Sequence, residues 1–343
     1  MKKVLLVLVS VLMVFSLLGC GSKEEKIEEE EKVLVIYSAA DEDFLELVIP
    51  AFEEETGITV EIQDGGAGEI FKRIAAEAEN PLCDVQLGST EDVARKYLDY
   101  CEAYTSIYDG NVYPDYSSKT FDGKLTPYEC DSAIFMYNKD LTEEEKVNGY
   151  EKLTDESLKG QVSIPDPNAS GTGVGIIQDY IRIFGDGTME SEEGWAMLEK
   201  FLRNLDGKLG SGSGAAANAV INGEAAVTIT YEAKAFNSIK DGANVGVCYP
   251  LEGVSFSVGV VNIVKGAPHI ENAKLFIDFM LSEKVQNILT NDLSIRSVRT
   301  DVTLGEGIPT IDTIKTIDCD HEYLSETQEA TIERYNDLWA EIN

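Results

Sequence analysis

Histidine is nearly absent from this 343-residue sequence: only His269 and His321 occur, far apart and each among polar neighbours. Histidine-centred metal sites and Ser-His or Cys-His nucleophile pairs therefore have little to be built from. Basic residues are also scarce, with 28 Lys and Arg against 62 Asp and Glu and a formal net charge of −34. Nucleic acid needs a basic surface to neutralise its phosphates, so it is excluded as a partner, and direct binding to an anionic membrane is disfavoured. The six cysteines, at 20, 83, 101, 130, 248 and 319, form no C-x-x-C pair, which removes the usual zinc and thiol–disulfide motifs. No G-x-x-x-x-G-K-[ST] loop and no G-x-S-x-G elbow occurs, and Gly171-Thr172-Gly173-Val174-Gly175 has the wrong spacing for a dinucleotide fingerprint. Acidic residues are too plentiful for one pair to stand out as a glycosidase dyad. The expectation is a protein that is not an enzyme and carries no cofactor and no metal.

Long apolar runs are missing too, with one exception. Val4 to Leu18 is apolar except for Ser10 and Ser16 and follows the positive start Lys2-Lys3. A membrane span needs about 20 such residues; this length suits the apolar core of a signal peptide, taken here as residues 1–19. Leu17-Leu18-Gly19-Cys20 resembles the lipobox of bacterial lipoproteins, which implies acylation of Cys20. Residues 20–32, rich in Glu and with Ile27 as the one bulky apolar residue, bury too little to offset their ordering entropy and read as an acidic tether. The expected location is extracytoplasmic, anchored to the cell membrane by lipid. Five cysteines remain after Cys20, leaving open two disulfides at most or free thiols.

The remaining ~310 residues exceed one simple core and fit two domains. Val33 to Tyr37 reads as a strand, and Phe44, Leu47, Val48, Ala51 and Phe52 recur at helical steps up to Gly57, across an awkward Pro50. Thr59 to Gln63 alternates as a strand, Gly68 to Glu79 reads as a helix, Asp84 to Leu87 as a strand and Thr90 to Leu98 as a helix. Tyr97 to Tyr137 looks loop-rich and ends in a strand at Ala133 to Tyr137. A second α/β set follows, and the chain ends in a helix around Glu326 to Ile342. Such alternation implies α/β architecture with a mostly parallel sheet under helices.

The sharpest local motif is Pro165-Asp166-Pro167-Asn168-Ala169-Ser170-Gly171-Thr172-Gly173, set between a strand and a helix. Glycines let backbone N–H groups approach a ligand, and a helix N-terminus offers free donors and partial positive charge to phosphate, phosphonate or carboxylate. Taken alone, an ordinary cap and tight turn is the commoner meaning of such a run. Ser38, Ser89-Thr90, Ser213 and Tyr231-Glu232 occupy similar places near other strand or helix ends, and ligands of open α/β sheets bind beyond the carboxyl ends of strands. The candidate ligand contacts are therefore Ser38, Ser89, Thr90, Ser170, Gly171, Thr172, Ser213, Tyr231 and Glu232, the last suited to an amine or hydroxyl or to a mere first-turn role.

From Val33 to about Thr303 the chain resembles the solute-binding lipoproteins and periplasmic proteins of ABC importers, in the branch for ferric iron, phosphonate, sugar phosphate or thiamine. Ala51 to Val60, Pro81 to Val85, Gly160 to Gly173, Asn222 to Tyr231, Tyr249 to Gly253 and Ala273 to Ser282 carry the resemblance. It implies a two-lobed type II periplasmic-binding-protein fold with hinge strands and a ligand cleft between the lobes. The implied division is 33–130 for the first part of lobe 1, 131–250 for lobe 2, and 251–343 for the return to lobe 1 with the C-terminal helices. Thr126 to Tyr137 and Val245 to Val258 are the implied hinges. Ferric members present a histidine, a glutamate and adjacent tyrosines where this chain has Ser38-Ala39, Ser89-Thr90 and Thr230-Tyr231. Hydroxyls suit an oxyanion better, so the expected solute is an organophosphate, phosphonate or similar anion, delivered by a monomer to a permease. A ferric or thiamine ligand within the family, and an exported hydrolase outside it, are the alternatives.

Overall fold

The computed structural model describes residues 32–343, which form one compact unit. The signal segment, Cys20 and the acidic stretch up to Glu31 lie outside the described residues. Among those described, no helix is long and apolar enough to cross a membrane.

The chain opens with β1 (Val33–Ser38), α1 (Glu42–Thr56), β2 (Thr59–Asp64), α2 (Ala67–Ala76) and β3 (Val85–Thr90). Helix α1 forms because Phe44, Val48, Ile49 and Phe52 share one buried face. It ends where Gly57 takes a left-handed conformation, φ 69°, and donates to the Glu53 carbonyl. Pro50 does not break it: the residue sits on the exposed face, where the carbonyl it leaves unpaired meets water. Strand β1 pairs in parallel with β2 and β3, as the alternation implied.

A short helix α3 (Glu91–Ala94) and a 3-10 turn, Arg95–Tyr100, replace the single helix expected over Thr90 to Leu98. After β4 (Cys101–Glu102) comes the longest strand, β5 (Thr126–Asn138). The residue pattern marks only its second half as strand, whereas the resemblance implied a hinge strand over Thr126 to Tyr137. Pro127, the irregular register between Pro127 and Glu129, and the acids Glu129 and Asp131 hide its alternation. The chain continues through α4 (Glu144–Val147), β6 (Val162–Ser163), α5 (Gly171–Phe184), α6 (Glu192–Asn204), α7 (Ser213–Ile221), β7 (Val227–Tyr231), α8 (Glu232–Lys240) and β8 (Val245–Cys248). It closes with β9 (Phe256–Val264), α9 (Ile270–Met280), α10 (Glu283–Asn291), β10 (Arg296–Ser297) and α11 (His321–Ile342).

The sheet order is β2-β1-β3-β9-β5-β7-β6, with β10 and β8 also on β5 and β4 on β9. Strand β5 belongs to both ends of it. Thr126 to Ser132 pair with β9, and Ala133 to Tyr137 pair with β7. Its second half alternates between two cores. Phe135 joins Tyr180, Phe201, Val227 and Ile229, while Ile134 and Met136 join Val220, Ala235 and Val245. The other end of the sheet buries Leu34, Ile36, Phe52, Leu87 and Phe276 on one face, and Phe71, Ile74 and Val260 on the other. Each lobe is thus a sheet with a core on both faces, joined by β5 and by the return segment between β8 and β9. That segment is clamped by Glu252, which accepts the N–H groups of Tyr150 and Glu151, and by a parallel bridge from Val254 to Thr316. Helix α11 packs into the core of the lobe that holds α5 and α6. All five described cysteines are free thiols, four of them buried.

Candidate functional site

The 165–173 loop is held by backbone before any side chain acts. Pro165 bridges to Gly210, whose N–H donates to the Ile164 carbonyl and whose carbonyl accepts from Asp166 N. Gly210 has no room for a side chain, because a Cβ there would lie 2.8 Å from Ala216 N at the start of α7. This close approach sets the N-terminus of α7 beside that of α5. Ser170 is the N-cap residue of α5, yet its hydroxyl caps none of that helix's N–H groups. Ser170 Oγ instead lies 3.0 Å from Ser213 Oγ, which donates to Thr172 Oγ1 at 3.1 Å. Three half-buried hydroxyls therefore meet where two helices present free N–H groups and the positive ends of their dipoles. The arrangement can surround an oxyanion with donors.

Gly173 is required by packing. A Cβ there would sit 2.7 Å from the Pro165 carbonyl oxygen and 2.9 Å from Pro167 Cα, whereas one at Gly175 meets nothing within 4 Å. Gly173→Ala is expected to cost about 1–3 kcal/mol through loop displacement. Gly175→Ala should instead stabilise by up to about 1 kcal/mol, through helix propensity. Urea midpoints of the two variants check both signs.

The other expected contacts divide. Ser38 is buried and its Oγ accepts from Ala40 N, closing the turn after β1. Ser89 is buried and donates to the Thr90 carbonyl. These two hydroxyls are engaged in local turns. Gly88 brings the turns together, since a side chain on it would collide with the backbone of Ala39 and Ala40. Thr90 is exposed at the end of β3, and Tyr231 is half-buried at the end of β7. Gly171 opens α5, with open space where a Cβ would be. Glu232 corrects the expectation placed on it. Its carboxylate is 1% exposed and bound by Arg296, Nη2 to Oε1 at 2.7 Å and Nε to Oε2 at 3.1 Å, with Tyr249 OH also donating to Oε1. A carboxylate so engaged is a structural ion pair and is not free for a solute.

The acids that do gather were missed from sequence. Asp131 on β5 accepts from Ser132 N and from Glu232 N, the first N–H of α8. Burial, and then the charge of Glu232, push its carboxyl well above the usual carboxylate range. Burial raises Glu129 to about 7, and Asp41, from the turn after β1, adds to the rise. Burial, then Asp41 and Asp131, raise the Tyr231 phenol. One lobe's Asp41 and the crossing strand's Glu129 and Asp131 thus lie within electrostatic reach of one another or of Tyr231. Their sign was hidden in a chain with 62 Asp and Glu. Two surface cavities, about 460 Å³ beside Asp109 and Lys119 and about 260 Å³ beside Arg182 and Tyr323, include none of the expected contacts. Among the described residues no group of three or more His, Cys, Asp or Glu is placed to hold a metal ion.

Known proteins share this frame. The family model described as bacterial extracellular solute-binding protein matches residues 48–315. Iron uptake protein A1 of Synechocystis is 29% identical over 295 residues, covering 81% of this chain and 79% of its own. A Salmonella typhimurium protein, provisionally named as 2-aminoethylphosphonate-binding and periplasmic, is 26% identical and covers 80% of this chain and 81% of its own. The structure of the periplasmic binding protein AfuA from Actinobacillus pleuropneumoniae, with exogenous fructose-6-phosphate bound, superposes with a TM-score of 0.75 at 26% identity. It covers 90% of this chain and 98% of its own. The two-lobed type II fold that the resemblance implied is the fold found, and the family's members bind solutes and are not enzymes. The chain belongs to the bacterial extracellular solute-binding proteins that serve ABC importers.

Proposed function

We propose that this protein captures a small solute carrying a phosphate or phosphonate group and an amine, and delivers it to the importer's permease. The observation that carries the reading is the meeting of Ser170, Thr172 and Ser213 hydroxyls at two helix N-termini. Asp41, Glu129 and Asp131 are the carboxyls an ammonium group would meet, and its charge would favour their ionised form against the burial that raises Glu129 and Asp131. The names of two relatives agree with the anionic part, one given for 2-aminoethylphosphonate and one solved with fructose-6-phosphate. The proposal includes lipid on Cys20, a tether that lets a monomeric domain stand off the membrane, and capture by the nine-residue set reduced by Glu232.

Titration calorimetry of residues 32–343 tests it, with 2-aminoethylphosphonate, ethylphosphonate, fructose-6-phosphate, thiamine and ferric citrate as ligands. An ammonium group favours the ionised form of Glu129, whose folded carboxyl titrates near 7. Binding the amine at lower pH must therefore displace that proton, and affinity should rise with pH up to about 7 by as much as tenfold per unit. Comparing the ratio of 2-aminoethylphosphonate to ethylphosphonate affinity in wild type and in Glu129→Gln isolates this term, because the ligands' own titration is common to both proteins. The ratio is expected to rise more steeply with pH up to about 7 in the wild type than in Glu129→Gln. Heat with ferric citrate or thiamine alone would sink the anion reading and leave the transport role intact.

A further inference from the structure

The geometry points to the C-terminal helix α11 as part of the anion site, with Asn336 a positioning residue for the loop that carries Ser170 and Thr172. The inference rests on the function proposed above. It concerns a helix at 321–342, beyond the residues 48–315 that the family model matches.

Helix α11 is a rigid support. Leu324 and Tyr335 are buried in the core formed with α5 and α6. Gln178 of α5 donates to the Leu324 carbonyl at 3.1 Å, and Tyr323 OH accepts from Met189 N at 2.8 Å. Arg334 lies 4.3 Å over the Trp195 ring and pairs with Glu192 at 2.9 Å. The loop hangs from this support by one residue. Asp166 Oδ1 accepts both the backbone N–H of Asn168, at 2.9 Å, and its side-chain amide, at 3.1 Å. Asn168 Nδ2 also donates to Asn336 Oδ1 at 2.9 Å, and Asn336 Nδ2 donates back to Asn168 Oδ1 at 3.1 Å.

The reciprocal amide pair fixes the Asn168 side chain two residues before Ser170. On its other flank the loop is tied by backbone through Gly210 and by the Ser213 hydroxyl, which meets those of Ser170 and Thr172. Removing Asn336 leaves the turn made by Asp166 intact but frees its orientation against α5. The hydroxyls would then have to be ordered by the ligand, at a cost in affinity. Helix α11 also packs against α3, which follows Thr90 in the other lobe, so the support of the loop touches both walls.

The test compares Asn336→Ala, Asn168→Ala and the double variant by titration with 2-aminoethylphosphonate and with ethylphosphonate. Both asparagines are exposed, so the net worth of the pair is small, and each single variant should raise Kd roughly three- to tenfold. The rise should be equal for the two probes, because the loop meets the anionic end, and the double variant should add nothing further. Melting temperatures without ligand should be unchanged, which separates positioning from a general loss of stability. An unchanged Kd, or losses that add in the double variant, would overturn the inference. Should the wild-type protein bind neither probe, the function proposed above fails and amide hydrogen exchange decides this one separately. Faster exchange at Asn168 to Gly173 in ligand-free Asn336→Ala upholds the positioning role, and an unchanged rate refutes it.

Discussion

Arg296→Met should destabilise the protein by about 3–5 kcal/mol, because it strands the Glu232 carboxylate in the interior. Both side chains of the pair are 1% exposed. Arg296 also donates to the Pro309 carbonyl at 2.7 Å and lies over the Phe256 ring at 5.4 Å, so its removal loses packing as well as charge. The pair joins the start of α8 to β10, whose Arg296 is registered against Cys130 of β5. It therefore ties the second lobe to the first half of the crossing strand. A loss of that size corresponds to a fall in melting temperature on the order of 10 °C. The companion variant Arg296→Met with Glu232→Leu should recover most of it, since a buried pair is close to neutral against apolar residues of similar volume. Thermal and urea denaturation of the three proteins measure this. A double variant as unstable as the single would show that the arginine's packing, and not its charge, matters.

Ser170→Ala with Thr172→Val should weaken 2-aminoethylphosphonate binding by a hundredfold or more. A hydrogen bond to a charged group is worth about 1.5–3 kcal/mol, and two are removed. The folded state should change little, because these hydroxyls are half-buried and each bonds to Ser213. Calorimetry gives the affinity and a thermal scan without ligand gives the control. A loss below threefold would mean that the backbone N–H groups of the two helices hold the anion without help from the hydroxyls.

How far such a site can be read before the structure is seen depends on the range of the interactions involved. The loop from Pro165 to Gly173 was readable because its signals are local: two prolines, a cap residue and glycines between a strand and a helix. That Ser213 joins Ser170 and Thr172 is set by Gly210, more than thirty residues from the loop, through a contact that depends on the absence of a side chain. Glu232 stands between two meanings for the same reason. A first-turn glutamate looks available until Arg296, from a different part of the chain, is folded onto it. Asp131 and Glu129 lie where Pro127 and the acids hide the strand's alternation, so the resemblance implied their hinge strand but nothing local marked their burial. The helical stripes of α1 and the strand runs of β1 to β3 were plain because periodicity reports burial residue by residue.

The handover within β5 also bears on the order in which the molecule is made. Strand β3 completes its pairing only with β9, and β5 finds its first-half partner in that same strand. During synthesis from the N-terminus, the first three strands must wait for more than 160 further residues with an open edge between them and their neighbour. The segment from β5 to β8 pairs within itself through β6, β7 and β8 and can gather sooner, lacking α11, the β9 and β10 partners of the first half of β5, and Arg296 for Glu232. Folding of the nascent chain should therefore begin in the middle and finish by inserting β9 between waiting strands. Any factor that shields an unpaired edge would act on β3 during that interval.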